Sequence, residues 1–142
     1  MSIKITKHVK SSWISSIGKN PQINKKPWGH EFSWAGFSGI HGKSLFIIKG
    51  HRTSFKYHKL KTEVLLLQKG EAEVTFGDEH SLTDPVAHPL RTERMITGQT
   101  LMVQSGCPYR IKAITDCEII EIGNNASDKP VRIEDDYGRD VE

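Results

Sequence analysis

The sequence predicts an all-β protein built as one barrel or sandwich, and three observations support this prediction. Short segments rich in β-branched and aromatic residues recur along the chain, separated by Gly, Pro, Asn or Asp. One of them, GEAEVTFG, alternates so that Ala72, Val74 and Phe76 share a face. The length of 142 residues suits a single closed core. Many short strands at this spacing favour a sandwich or barrel over a βαβ sheet.

Ten strands are predicted in order along the chain. Each is a short run of strand-forming residues that ends at a turn signal, such as Gly50 after the second run or Gly98 after the sixth. Residues 78–93 lack periodicity and contain two prolines, which predicts one longer loop. Residues 6–18 are a weak helix candidate. The predicted strands are 31–37, 43–49, 53–58, 63–69, 71–77, 94–97, 100–105, 108–114, 117–122 and 130–133.

Composition indicates a soluble globular protein, with 36% hydrophobic residues, 26% charged residues and a mean hydropathy of −0.47. The chain has no run of 18 apolar residues, and its first residues lack the apolar core of a signal peptide. We therefore expect a cytoplasmic location and no membrane partner. Residues 1–30 contain six lysines and no acid, but no nucleic-acid-binding motif accompanies them, so we expect no nucleic-acid partner.

We expect three segments along the chain: a basic arm at 1–24, the barrel at 25–123 and an acidic tail at 124–142. Residues 128–142 carry six acids against three bases. The basic arm is either a solvated extension or docks on the acidic tail of the same or a partner chain, an attraction that salt would screen.

The stretch from Gly50 to Gly70 carries the candidate chemistry. On a strand over 53–58, Lys56 and His58 point to one face, and Glu63 shares a face with the apolar residues that follow it. A closed barrel would aim these three side chains at the same interior volume. The alternative for any one of them is a solvent-facing residue.

Four segments resemble the cupin superfamily, and specifically the small cupins related to the C-terminal domain of type II mannose-6-phosphate isomerases. The spacing Gly-x5-His-x-His-x4-Glu-x6-Gly of the first cupin motif is matched from Gly50 to Gly70, with Lys56 at its first histidine. The four segments, in order, are KPWGHE (26–31), GHRTSFKYH (50–58), GQTLMVQSGCPYRI (98–111) and RIEDDYGR (132–139). The resemblance implies a cupin (double-stranded β-helix or jelly-roll) barrel in a single domain. It also implies a homodimer, since small cupins commonly pair through strand exchange or sheet edges.

The resemblance implies a divalent metal site that this sequence alters. Relatives place Gln or His, then His, Glu and His around the metal, and the matching residues here are Lys56, His58, Glu63 and Tyr109. Two ligands remain, His58 and Glu63, whereas tight zinc binding normally needs three or four. We therefore expect no cofactor, with a divalent transition metal as the alternative. In the absence of a metal, the Lys56 ammonium facing Glu63 would satisfy both charges.

Three functions compete. The first is a mannose-6-phosphate-type isomerase, with Lys56 as the electrophile. The second is a metal-independent epimerase or isomerase of nucleotide sugars, with His58 and Tyr109 as base and acid. The third is a non-catalytic barrel that binds a carbohydrate or an anionic metabolite, in which Arg52 and Arg110 help to form a cationic mouth.

Two of these assignments carry alternatives. Tyr109 either has the catalytic role or only fills core volume. Arg139 either returns to the barrel mouth near a substrate phosphate or belongs to a cap or dimer contact. The function predicted is thus a small cupin of sugar-phosphate or nucleotide-sugar metabolism with a degenerate metal site.

Overall fold

A computed structural model describes residues 17–124 and 127–141, which contain eleven β-strands and no helix. Residues 6–16 of the helix candidate at 6–18 and most of the basic arm lie outside the described residues, and residues 17 and 18 are not helical. No helix able to span a bilayer occurs in these two ranges. The strands are β1 (Asn24–Lys26), β2 (Gly29–Phe37), β3 (Ile40–Ile47), β4 (Phe55–Tyr57), β5 (Glu63–Lys69), β6 (Glu71–Phe76), β7 (Arg91–Ile96), β8 (Thr100–Val103), β9 (Tyr109–Ala113), β10 (Cys117–Asn124) and β11 (Val131–Glu134).

The strands form two antiparallel sheets. The first has the order β1-β2-β3-β10-β5-β8, and the second has the order β11-β4-β9-β6-β7. All-β architecture is confirmed, and each of the ten predicted strands overlaps an observed one. The 78–93 loop prediction was too long, because β7 already begins at Arg91. Strand β1 was not predicted, and β11, which lies in the acidic tail, pairs with β4 and so completes the second sheet.

The core lies between the two sheets and has an apolar part and a polar part. Alternation places Leu65 and Leu67 of β5 in the core, as predicted, and Ala72 and Val74 of β6 face it as well. Glu63, on the same face of β5 as Leu65, is only 1% exposed. The barrel therefore buries charged groups at one end of its own hydrophobic core.

Gly123 lets the central strands of the first sheet pack closely at that polar end. In the register of the sheet, Gly123 of β10 lies between His41 of β3 and Glu63 of β5. A Cβ at Gly123 would come within 2.6 Å of the Thr62 carbonyl oxygen and within 3.2 Å of the Glu63 Cβ. Only glycine fits here without displacing the backbone that precedes Glu63.

Candidate functional site

The four residues that the motif singled out converge at the polar end of the barrel. The Tyr109 hydroxyl donates a hydrogen bond of 2.7 Å to Glu63 Oε1, and His58 Nε2 lies 3.8 Å from the same oxygen. The Lys56 ammonium lies 4.7 Å from the centroid of the Tyr109 ring, within cation–π range. Pleat geometry predicted that Lys56, His58 and Glu63 lie near one another, and the cupin resemblance added Tyr109. The roles assigned to the four residues remain predictions.

This set of residues does not fit a metal. Tyr109 stands at a ligand position, but its hydroxyl is bonded to Glu63, and Lys56 brings a positive charge to another. The sequence also predicted that the Lys56 ammonium would pair with Glu63. That prediction was wrong, since the ammonium 3.2 Å from Glu63 Oε2 belongs to Lys61. Among the described residues, Lys56 makes neither a hydrogen bond nor an ion pair.

A second set of buried side chains adjoins the first through Glu63. His41, Glu63 and Glu121 each offer a ligand atom, and these atoms lie within 4.8 Å of one another. His41 Nε2 is 2.8 Å from Glu121 Oε2, and Lys61 Nζ is 3.2 Å from that same oxygen. The described residues thus include a triad whose composition is that of a metal site, with an ammonium beside it.

Sequence reasoning missed His41, Lys43, Lys61 and Glu121. An alternation signal was present for three of them. Glu121 follows Cys117 and Ile119 on the buried face of β10, and His41 and Lys43 precede two buried residues on β3. Lys61 lies between strands, where no periodicity applies. Its inward direction depends on the path of the loop.

The His58 imidazole is neutral at neutral pH. Burial lowers its pKa to about 4, and the nearby Lys61 and Lys56 ammonium groups add to the effect. The Nδ1 atom of His58 is buried without a hydrogen-bond partner, and Asp128 Oδ2 lies 3.9 Å away. His58 is thus an unprotonated imidazole with one buried ring nitrogen that lacks a hydrogen-bond partner.

Lys56 has no acidic partner within ion-pair distance among the described residues. Burial lowers the pKa of Lys56 to about 8, and the negative charge of Glu63 opposes that shift. Lys56 is partly exposed, whereas Lys61 is only 5% exposed. Part of the Lys56 side chain is therefore open to solvent.

The carboxylates differ in their proton affinity. Burial would raise the pKa of Glu121, but Lys43, His41 and Lys61 outweigh it and hold the pKa well below its usual range. For Glu63, burial and the Glu121 charge raise the pKa. Burial and the Glu63 charge also raise the pKa of Tyr109, so its hydroxyl stays protonated. Glu121 therefore keeps its negative charge to a lower pH than Glu63 does.

The three arginines assigned to substrate binding each lie beside an acid of the C-terminal segment. Arg52 Nη2 donates to Asp136 Oδ1 at 2.8 Å, and Arg139 pairs with Asp135 at 2.9 Å.

Arg110 donates from Nη1 to Glu134 Oε2 at 3.2 Å. It follows Tyr109 on β9, so the pleat directs it away from the interior. None of the three arginines contacts His58 or Lys56 among the described residues. Arg52 and Arg110 tie the C-terminal segment to the second sheet, whereas Arg139 pairs within that segment.

Solved structures identify the fold. Oxalate decarboxylase of Bacillus subtilis, in a variant with one tryptophan replaced by tyrosine, is similar with a TM-score of 0.64 at 17% identity, covering 76% of this chain and 28% of that one. Vicilin of Corylus avellana gives a TM-score of 0.66 at 14% identity, covering 81% of this chain and 34% of that one. CapF in complex with 3-isopropenyl-tropolone gives 0.64 at 15% identity, covering 77% and 32%.

The chain spans about a third of the length of each of these proteins. No protein-family model and no curated protein match the sequence. At these identities the structural likeness establishes the fold, and enzymes share it with a vicilin. With its two antiparallel sheets and these neighbours, the chain is an all-β protein of the cupin fold.

Proposed function

We propose that this protein is a small cupin of carbohydrate metabolism that takes a sugar phosphate or nucleotide sugar at Lys56 and His58. The single observation that carries the proposal is the pairing of a neutral imidazole, whose Nδ1 has no hydrogen-bond partner, with an ammonium that lacks an acid partner among the described residues. The carbohydrate class itself rests on the four sequence segments that resemble the isomerase-related small cupins. In this proposal no step requires a metal.

The position of Lys56 supports an anionic ligand. In the part of the chain that the structure describes, three buried acidic side chains and four lysines lie at the polar end of the barrel, and Asp128 lies beside His58 at its edge. Three of the lysines lie within ion-pair distance of the buried acids. The fourth, Lys56, has none. A phosphate or carboxylate group would supply the missing negative charge. The acids are Glu31, Glu63 and Glu121, and the lysines are Lys26, Lys43, Lys56 and Lys61.

The chemistry we assign is proton transfer beside a carbonyl. His58 accepts a proton from the carbon next to the carbonyl, and Lys56 stabilises the oxygen that becomes negatively charged. The Tyr109 hydroxyl donates a hydrogen bond to Glu63 and so positions the Glu63 carboxylate. Tyr109 can donate its proton to a substrate only when this hydrogen bond breaks. Isomerisation and epimerisation both begin with this step.

Deuterium uptake tests the proton transfer directly. Sugar phosphates and keto forms of nucleotide sugars, which have the carbonyl that this step needs, are incubated in D₂O with chelator-treated protein, and NMR detects exchange at the carbon next to the carbonyl. We expect exchange with the wild type and none with His58→Asn. His80→Asn, which alters an exposed loop histidine, serves as the control. Exchange that survives His58→Asn would show that this imidazole is not the base.

Non-catalytic binding is the second candidate, and one contact favours it. Because the Tyr109 hydroxyl is already bonded to Glu63, this hydroxyl does not stand ready as an acid beside His58. Calorimetry with phosphosugars at two salt concentrations separates the candidates. Binding that Lys56→Met weakens, in the absence of deuterium uptake by the wild type, would identify the barrel as an anion-binding module.

We also propose that two copies pair through their sheet edges. Strands β7 and β8 are edge strands of the two sheets, and Ile96 and Met102 on them are 51% and 66% exposed. Unpaired edges with exposed apolar side chains favour association. Light scattering coupled to size exclusion measures the mass, which we expect to be twice that of the chain; a mass of 16.0 kDa would contradict pairing.

A further inference from the structure

The buried triad His41, Glu63 and Glu121 combines one imidazole with two carboxylates. This donor set is typical of divalent transition metals. Three strands of the first sheet position it, because β10 pairs with β3 on one side and with β5 on the other. All three side chains are buried. The triad shares only Glu63 with the residues that the sequence motif identified.

The triad holds a cation that the chain itself provides. Lys61 Nζ lies 3.2 Å from Glu63 Oε2 and 3.2 Å from Glu121 Oε2. Glu63 Oε2 is buried and accepts no hydrogen bond from the described residues, so the ion pair with Lys61 is its compensation. A buried carboxylate oxygen in this condition is a ready ligand for any cation that displaces the ammonium.

The loop that carries Lys61 is fixed by residues at and beyond the end of β10. The backbone N–H groups of Leu60 and Lys61 donate to Asp128 Oδ2 at 2.7 and 3.0 Å, and the Thr62 N–H donates to Asn124 Oδ1 at 2.8 Å. These bonds fix the backbone of the loop, so the N–H donors of the Lys61 ammonium remain available to the carboxylates. Entry of another cation therefore requires the side chain of Lys61 to leave the triad.

We propose that His41, Glu63 and Glu121 form a divalent transition-metal site in which the Lys61 ammonium stands in for the metal. The site goes beyond the function proposed above and does not rest on it, since neither His58 nor Lys56 belongs to the triad. It follows that the wild-type barrel excludes a metal from the triad and that removal of the Lys61 ammonium opens it.

Zinc calorimetry, together with the visible absorption of bound Co²⁺, tests the site on the full chain. Wild type should show no saturable binding at the triad. Lys61→Ala should bind one equivalent of Zn²⁺ at least about a hundredfold more tightly than any residual binding by the wild type, because three protein ligands then face an open position. Lys61→Ala combined with Glu121→Gln should lose that gain.

Lys43→Ala is the matched control, since it removes another buried ammonium of the same cluster. Lys43 Nζ contacts Glu31 at 2.6 Å and lies 3.7 Å from Glu121, so Lys61 stays in the triad when Lys43 is removed. Its zinc affinity should match that of the wild type. An equal gain in zinc affinity in Lys61→Ala and Lys43→Ala would mean that zinc binds only because a positive charge was removed, and this result would overturn the proposal. Stoichiometric zinc at the triad of the wild type would overturn it too.

If the Lys61→Ala variant does not fold, a rescue experiment with added cations still tests the proposal. In that case Zn²⁺, or ammonium chloride as a small replacement cation, should restore the folded protein, whereas tetramethylammonium, which is too large, should not. Failure of both Zn²⁺ and ammonium to restore folding would refute a cation site at this position.

Discussion

Replacement of Glu121 by glutamine is the most informative single perturbation of the buried charge cluster. Glu121 is 2% exposed, and its Oε2 lies 2.8 Å from His41, 3.2 Å from Lys61 and 3.7 Å from Lys43. Glutamine keeps the shape but removes the charge and directs amide protons at ammonium groups. Removal of one partner of a buried ion pair lowers the free energy of unfolding by about 3–5 kcal/mol.

We expect the lower end of that range, about 3 kcal/mol, because Lys61 retains Glu63 and Lys43 retains Glu31 as partners. Urea unfolding followed by tryptophan fluorescence measures the free energy of unfolding, and the buried Trp28 reports on the core.

Glu118→Gln is the matched control on the same strand, where the side chain is exposed. It should change the free energy of unfolding by less than about 0.5 kcal/mol. A loss below about 1 kcal/mol for Glu121→Gln would contradict the account of a mutually dependent charge cluster.

Four further predictions concern neighbouring residues. Tyr109→Phe should lower the free energy of unfolding in urea by about 1–3 kcal/mol, because Glu63 Oε1 loses its 2.7 Å hydrogen bond. Since the pKa of His58 is lowered from 6.5 to about 4 in the folded state, the unfolded chain takes up a proton first on acidification; wild type should lose stability between pH 6.5 and 4, and His58→Asn should lose less. The pKa of Lys56 is lowered from 10.5 to about 8, so the unfolded chain binds more protons between these values; stability measured from about pH 8 to 10 should rise more in wild type than in Lys56→Met. Gly123→Ala should lower the thermal midpoint markedly, because its Cβ would lie 2.6 Å from the Thr62 carbonyl oxygen.

Much of the fold could be predicted because strand periodicity is a local property. The alternation of Glu63, Leu65 and Leu67 on β5 was evident in the sequence, and the structure buries all three. Strand β7 was predicted too short, because five of its six residues are exposed and no apolar alternation marks its beginning.

The candidate site could be predicted only where a motif or a pleat fixed the direction of a side chain. His58 lies near Glu63, Lys56 lies over the Tyr109 ring, and Tyr109 is hydrogen-bonded to Glu63, so the four side chains are close together as expected. The partner of Glu63 was assigned to the wrong lysine, because Lys61 lies in a loop whose course depends on bonds to Asp128, far along the chain. Such a long-range anchor leaves no local signal in the sequence.

The central claim is that the Lys61 ammonium, and no metal ion, neutralises the two buried carboxylates of the triad, Glu63 and Glu121. Anomalous diffraction at the zinc absorption edge, from crystals of the wild-type protein soaked in zinc, tests it most directly. The account predicts no anomalous peak among His41, Glu63 and Glu121, with Lys61 Nζ in contact with both carboxylates, as in the 3.2 Å distances seen here. A strong peak bound by these three residues, with Lys61 turned away, would contradict it.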